Sequence, residues 1–154
     1  MHVRSYRPGD ETALRQVFLD AVHQLAANHY SPEQLDAWAP PQTDQAEWRR
    51  RIQALSPFVA VCANDRPMAY ADLQANGYID HFFVAPRHAR QGVGRRLLAH
   101  IEQTARQQGL QELSADVSLH AQAFFARFGF ALQYRQMPVV RGVAPGNAHM
   151  RKKL

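Results

Sequence analysis

The sequence predicts an α/β (α+β) fold, a mixed β-sheet with helices on both faces, and three observations carry that prediction. Apolar residues recur at the helical period through the first 55 residues, and the period then switches to that of strands over 58–84. Finally, a strand-like run, an amphipathic helix and a second strand-like run follow one another between 78 and 117. A strand, helix and strand of that length form a right-handed crossover, so the two flanking strands lie parallel. At 154 residues the chain is the size of one domain, and 46% apolar content with eight Phe supplies a substantial core.

Residues 2–6 read as a short strand ended by Pro8-Gly9, and Asp10 is placed to cap a helix carrying Leu14, Val17, Phe18, Ala21, Val22 and Leu25 on one side. Ser31-Pro32-Glu33-Gln34 combines a capping box with proline at the first helical position. A second short helix therefore starts there, carries Leu35 and Trp38, and stops at Ala39-Pro40-Pro41. A third follows Asp44 with Trp48, Ile52 and Leu55, closed by Ser56-Pro57. Strands at 58–62, 68–73 and 78–84, separated by Asn64-Asp65-Arg66-Pro67 and Asn76-Gly77, form an antiparallel meander. Val93, Leu97, Leu98, Ile101 and Ala105 mark a helix that Gly109 terminates. A parallel strand at 112–117, a short helix within 120–130 ending at Gly129, and strands near 130–137 and 147–152 complete the order.

Composition narrows the function. The opening MHVRSYRPGDETALRQVF lacks a signal-peptide apolar run, and no stretch approaches the ~18 apolar residues of a membrane span, so a cytoplasmic protein without membrane partners is expected. Cys62 is alone and reads as a small buried hydrophobe in the strand FVAVC. The eight histidines show no ligand spacing, so no metal is expected. A net charge of +5 favours anionic partners. The basic residues are dispersed apart from 87–96 and the Arg-Lys-Lys tail, however, and no zinc-finger spacing or RNA-recognition motif argues for nucleic acid.

The stretch 87–96 holds the chemistry. Arginines at the first turn of a helix are unfavourable beside the positive end of its dipole unless an anion is present. Consecutive N–H groups from Arg90 through Gln91, Gly92, Val93 and Gly94 to Arg95 can converge on a phosphate, with Arg96 reaching further phosphates. Gly92 and Gly94 leave room for the ligand to approach. On spacing alone, a glycine turn with two solvated arginines fits equally well. A Walker loop needs Gly-Lys-Ser/Thr, and a dinucleotide fingerprint needs a glycine where Leu97 stands, so both are set aside.

Val84, Gln91-Gly92-Val93-Gly94-Arg95-Arg96-Leu97-Leu98, Ala121-Gln122-Ala123-Phe124-Phe125 and Gly129-Phe130 together resemble the GNAT superfamily of acetyl-CoA-dependent N-acetyltransferases, over nearly the whole chain. The resemblance implies a mixed central sheet splayed between 78–84 and 112–117 with acetyl-CoA in the gap. The pantetheine arm would pair with the backbone of Phe82, Phe83 and Val84, and the pyrophosphate would lie on the amides of 89–95. A backbone N–H near Phe82 or Phe83 would serve the oxyanion, and no metal would be needed. The acceptor would be a small-molecule or peptide amine, and dimers are common among such proteins. Three positions depart from the pattern: Ala89 where Gln or Arg is usual, Phe125 where many members carry the tyrosine that protonates the thiolate, and Ser118 where an Asn commonly touches the pantetheine arm.

An alkylammonium has a pKa of about 10, so acetyl transfer to it needs a base. Strand alternation puts Tyr78, Asp80, Phe82 and Val84 on one face and Ile79, His81 and Phe83 on the other. Similar proteins commonly draw the base from the positions of Tyr78 and Asp80; Asp80 is the first choice, with Tyr78 orienting water or donating a proton, although a structural ion pair at Asp80 stays open. His120 and Tyr134 are the remaining candidates for protonating the thiolate. Residues 23–41 and 139–147 would surround the acceptor, with His29, Tyr30 and Trp38 either lining the cleft or packing between helices; for Trp38 core packing is favoured. Two other classes remain: a CoA-binding sensor or scaffold without catalysis, and a basic nucleic-acid-binding domain.

Overall fold

The computed structural model describes residues 1–154. Its elements run β1 (His2–Ser5), α1 (Glu11–Asp20), α2 (Pro32–Trp38), α3 (Gln45–Leu55), β2 (Phe58–Val61), β3 (Pro67–Ala71), β4 (Tyr78–Ile79), β5 (Phe82–Val84), α4 (Val93–Gln107), β6 (Glu112–Ser118), α5 (Gln122–Arg127), β7 (Ala131–Gln136) and β8 (Asn147–Lys153). A π-helical turn over Ala21–Leu25 extends α1. No helix is long and apolar enough to cross a membrane.

The strands form two four-stranded sheets, ordered β1-β2-β3-β5 and β4-β6-β8-β7. The first is antiparallel throughout; in the second, β4 runs parallel to β6, as the crossover through α4 requires. The expected single strand over 78–84 is instead two. Tyr78–Ile79 pairs with Ser114 and Ala115, whereas Phe82–Val84 pairs with Ala71, Tyr70 and Ala69. The chain changes sheets across Asp80 and His81, and a change of sheet strips their N–H groups of ladder partners. The fully buried Asp72 takes both: its Oδ1 accepts from the Asp80 and His81 amides at 2.8 Å each. Burial pushes the Asp72 carboxyl up, against the pull of those amides. The splay is therefore built into the chain by one carboxylate from β3's end.

Helices cover both faces. Under α4 and α5 lies a cluster containing Leu97, Leu98, Ile101, Leu113 and Phe125; under α1–α3 lies another containing Leu14, Phe18, Trp48 and Ile52. All five apolar positions expected of α4 are buried. The capping box at Ser31 forms in full and Asp44 accepts from the Ala46 amide. Asp10 does not cap α1, because Arg4 claims it with two hydrogen bonds at 2.8 and 3.0 Å. Cys62, expected to be buried, is half-buried just beyond β2, where backbone N–H groups lower its thiol. Gly77 permits the tight entry to β4: its φ is 86°, and a Cβ there would lie 2.3 Å from the Glu112 carbonyl oxygen.

Candidate active site

Because β4 leaves β6 after Ala115 and β5 joins the other sheet, the edges of β5 and β6 face each other across a gap. A cleft of about 210 Å³ occupies it, with Tyr78, Asp80 and Phe82 on one wall and Asp116, Val117 and Ser118 on the other. In an antiparallel pair, alternate residues exchange hydrogen bonds with the neighbouring strand. Here the Asp72 amide donates to the His81 carbonyl and the Ala85 amide to the Met68 carbonyl, so odd-numbered residues of β5 face β3. Phe82 and Val84 consequently present N–H and C=O to the gap, while the N–H and C=O of Phe83 face β3. Of the two expected oxyanion donors, only Phe82 has this orientation.

The glycine loop follows at the end of β5. Arg90 and Gly92 both adopt left-handed conformations, with φ of 61° and 81°. Such alternation turns successive amides to one side. The six N–H groups from Arg90 to Arg95 find no acceptor within the protein. The Ala89 amide is not part of this cradle, since it donates to the Pro86 carbonyl at 3.1 Å. The Gln91 side chain braces the loop through the Arg87 carbonyl. The two glycines have different reasons. Nothing lies within 4 Å of a Cβ built on Gly92, so its open side faces the approach to the loop. A Cβ on Gly94 would meet the Phe124 ring at 3.3 Å, so that glycine serves packing rather than ligand approach. Val93 is buried, and Arg95 and Arg96 are exposed.

Asp80 stands at the cleft with its side chain 42% exposed. Burial is the largest cause raising its pKa; the nearby Asp116 adds to the rise and the Arg51 charge opposes it. Tyr78 does not bond Asp80: its hydroxyl donates to Asp116 Oδ2 across the gap at 2.8 Å. Burial, then that carboxylate, holds the phenol far above its ordinary pKa. Asp116 also accepts from Gln136 and pairs with His149 Nδ1, each at 2.8 Å, and His149 stacks under Tyr134. Asp116 and His149 were not found in the sequence. In the strand ELSADVS the polar residues alternate with buried ones, which reads as an ordinary solvent face. His81 turns away, as alternation predicts, and burial pushes it down to about 3. It sits among Phe18, Trp48 and Phe83 with Nδ1 3.0 Å from the Tyr70 hydroxyl.

Phe125 borders the cleft and is 3% exposed, its ring edge-on to Phe82, Phe124 and Phe130. Ser118 lines the cleft; His120 and Tyr134 do not. Trp38, expected in the core, is half-buried and forms cleft wall beside Phe83. Tyr30 lines it too and ties three segments together, accepting from the Leu119 amide at 2.8 Å and donating to the Gly146 carbonyl at 2.6 Å. His29 is exposed, 6.0 Å from the His120 ring. No group of three or more His, Cys, Asp or Glu side chains is arranged to hold a metal ion.

Known proteins share the fold and, over nearly the whole chain, much of the sequence. The profile of the acetyltransferase (GNAT) domain matches residues 26–153. The N-acetyltransferase YafP of Escherichia coli (strain K12), itself uncharacterized, is 35% identical over 153 residues, which cover 99% of this chain and 96% of that protein. A crystal structure of a GCN5-related N-acetyltransferase from Rhodopseudomonas palustris superposes with a TM-score of 0.93 at 30% identity, covering 99% of this chain and 95% of that one. The PaiA N-acetyltransferase from Thermoplasma acidophilum, solved in complex with coenzyme A, shares the fold at a TM-score of 0.75 and 18% identity, with 99% and 98% covered. On the family profile and on relatives alike in sequence across nearly its whole length, this chain is a member of the GNAT acetyltransferase family.

Proposed function

We propose that the chain, acting as one domain over 1–154, transfers the acetyl group of acetyl-CoA to a primary amine of a small molecule or peptide by direct attack. One observation carries this reading: the half-exposed Asp80 and Phe82 line the cleft, the open edge continues along β5 to Val84, and the unpaired amides of Arg90–Arg95 follow β5 in the chain. A thioester, a pantetheine arm and a pyrophosphate come in that order. The Thermoplasma acidophilum relative in complex with coenzyme A supports the same ligand.

On this reading, the cradle and the side chains of Arg95 and Arg96 hold the phosphates, the β5 edge holds the pantetheine amides, and Ser118 offers a hydroxyl from the opposite wall. The Phe82 N–H stabilises the oxyanion as the amine attacks. Asp80 takes the proton, directly or through water, and its raised pKa makes it a stronger base than an ordinary aspartate. Tyr78 and Asp116 position that water, and the Asp116 carboxylate adds negative potential that draws in the ammonium. Phe125 has no proton to give, so the thiolate takes one from water. Phe125 and Ala89 also favour a second reading, CoA binding without turnover.

Calorimetric titration with acetyl-CoA and CoA, followed by thiol release against an amine panel, tests both readings. Gly92→Glu puts a carboxylate into the cradle and is expected to abolish binding. Asp80→Asn is expected to retain CoA binding and lower kcat by about 10²–10⁴-fold. Binding without amine-dependent thiol release supports the sensor; no binding at millimolar ligand overturns both.

A further inference from the structure

A second, smaller pocket lies next to the cleft, joined to it by the contact of Phe18 with Phe83. Its walls bring together Arg15 of α1, Arg51 of α3 and Arg141 of the β7–β8 loop, with Thr43 beside them and Glu47 as the one carboxylate. Backbone carbonyls tether two of the guanidiniums, and Arg51 and Arg141 are exposed. Arg141 Nη1 donates to the Ala37 carbonyl at 2.7 Å, Arg15 Nη2 to the Pro41 carbonyl at 3.3 Å, and Arg51 lies 6.0 Å over the Phe18 ring. None of the three forms an ion pair, as is true of most arginines of the chain. Each keeps most of its five donors free. Three cations and one carboxylate line this one small space, and the excess positive charge favours an anion.

The space is about 30 Å³, which holds about two waters and so matches a carboxylate or a single phosphate group rather than a whole substrate. It adjoins the cleft. Phe18 of the pocket stands 4.9 Å from Phe83 of the cleft, Arg141 directly follows the cleft residue Val140, and Pro40 lies two residues beyond Trp38. The charge of Arg51 is felt at Asp80.

Building on the acetyl-transfer reading, we propose that the acceptor amine carries an anionic group, a carboxylate or phosphate, that docks among Arg15, Arg51 and Arg141 while its amine faces Asp80. The acceptor is then a zwitterion, oriented by acids at one end and by bidentate guanidinium contacts at the other. It adds no chemistry; it fixes which amines reach the thioester.

The test pairs each anionic amine with its neutral counterpart: amino acids with their amides for the carboxylate, and phosphoethanolamine with ethanolamine for the phosphate. The expected result is a kcat/KM at least about tenfold higher for the anionic partner of one pair, and a collapse of that ratio by about tenfold in Arg51→Gln and Arg15→Gln. Equal turnover within both pairs overturns the proposal, as does an unchanged ratio in both variants. A second measurement is independent of turnover. In CoA-saturated protein, inorganic phosphate is titrated while the Trp48 indole N–H and arginine Nε–H resonances are followed by NMR. Shifts lost in Arg51→Gln support the site, and their absence overturns it. Shifts without acceptor discrimination overturn the assignment to the acceptor. Failure of acetyl transfer with every amine, while the phosphate shifts persist, overturns the acetyl-transfer reading and with it the acceptor assignment, leaving only an anion pocket.

Discussion

His81 is an ionisable group kept neutral by the fold. Burial holds its folded-state pKa at about 3, below the ordinary value of 6.5. A depressed histidine contributes stability that is complete above about pH 6.5 and is lost as pH falls towards 3, because only the unfolded chain takes up the proton in that window. From pH 7 to pH 5 the loss is about 2 kcal/mol. His81→Phe is expected to remove that part of the acid sensitivity, measured as the difference between urea unfolding free energies at the two pH values. An unchanged difference would mean that His81 is not the residue responsible. Phenylalanine leaves the Tyr70 hydroxyl without its partner, so the variant is less stable at both pH values, and the difference alone carries the test. The site at this scale was partly legible. Asp80 and His81 follow from a two-residue alternation, and the amides of 90–95 from a glycine pattern. Asp116 and His149 were not, because their partnership joins two strands 33 residues apart and no local pattern encodes it.

At the scale of elements, the break between β4 and β5 opens the cleft, and Asp72 satisfies the two amides that the break strips of ladder partners. Asp72→Ala leaves the His81 amide buried and the Asp80 amide part-buried with no acceptor, a cost of about 2–4 kcal/mol in chemical denaturation. Asp72→Asn retains an oxygen in place and is expected to lose less than half as much. An alanine variant as stable as the wild type would show that water satisfies both amides. Neither a glycine nor a proline marks this break, which is why residues 78–84 read as one strand. Elements whose signals are local were legible in full: the 3.6-residue period of α4, the Ser31 capping box, and the Asn76-Gly77 turn at which any Cβ would strike Glu112. Asp10 shows the opposite case. Its sequence position suits a cap, but Arg4 arriving from β1 and the Arg7 amide take up both carboxylate oxygens.

At the scale of the molecule, two sheets with separate cores diverge around one cleft, and the β5 edge stays unpaired on the cleft side. A ligand that pairs with that edge adds a strand to the structure and stabilises only the folded chain. At a hundredfold excess over its Kd, acetyl-CoA is expected to add about 2.7 kcal/mol and raise Tm by roughly 5–10 °C in a thermal scan. A shift below 1 °C at that excess would mean that acetyl-CoA does not bind the folded chain. The unpaired edge has a corollary for proteolysis. Protease attack on a marginally stable protein follows the population of its opened forms, so a ligand that pairs with this edge is expected to protect the chain from digestion in proportion to the stability it adds.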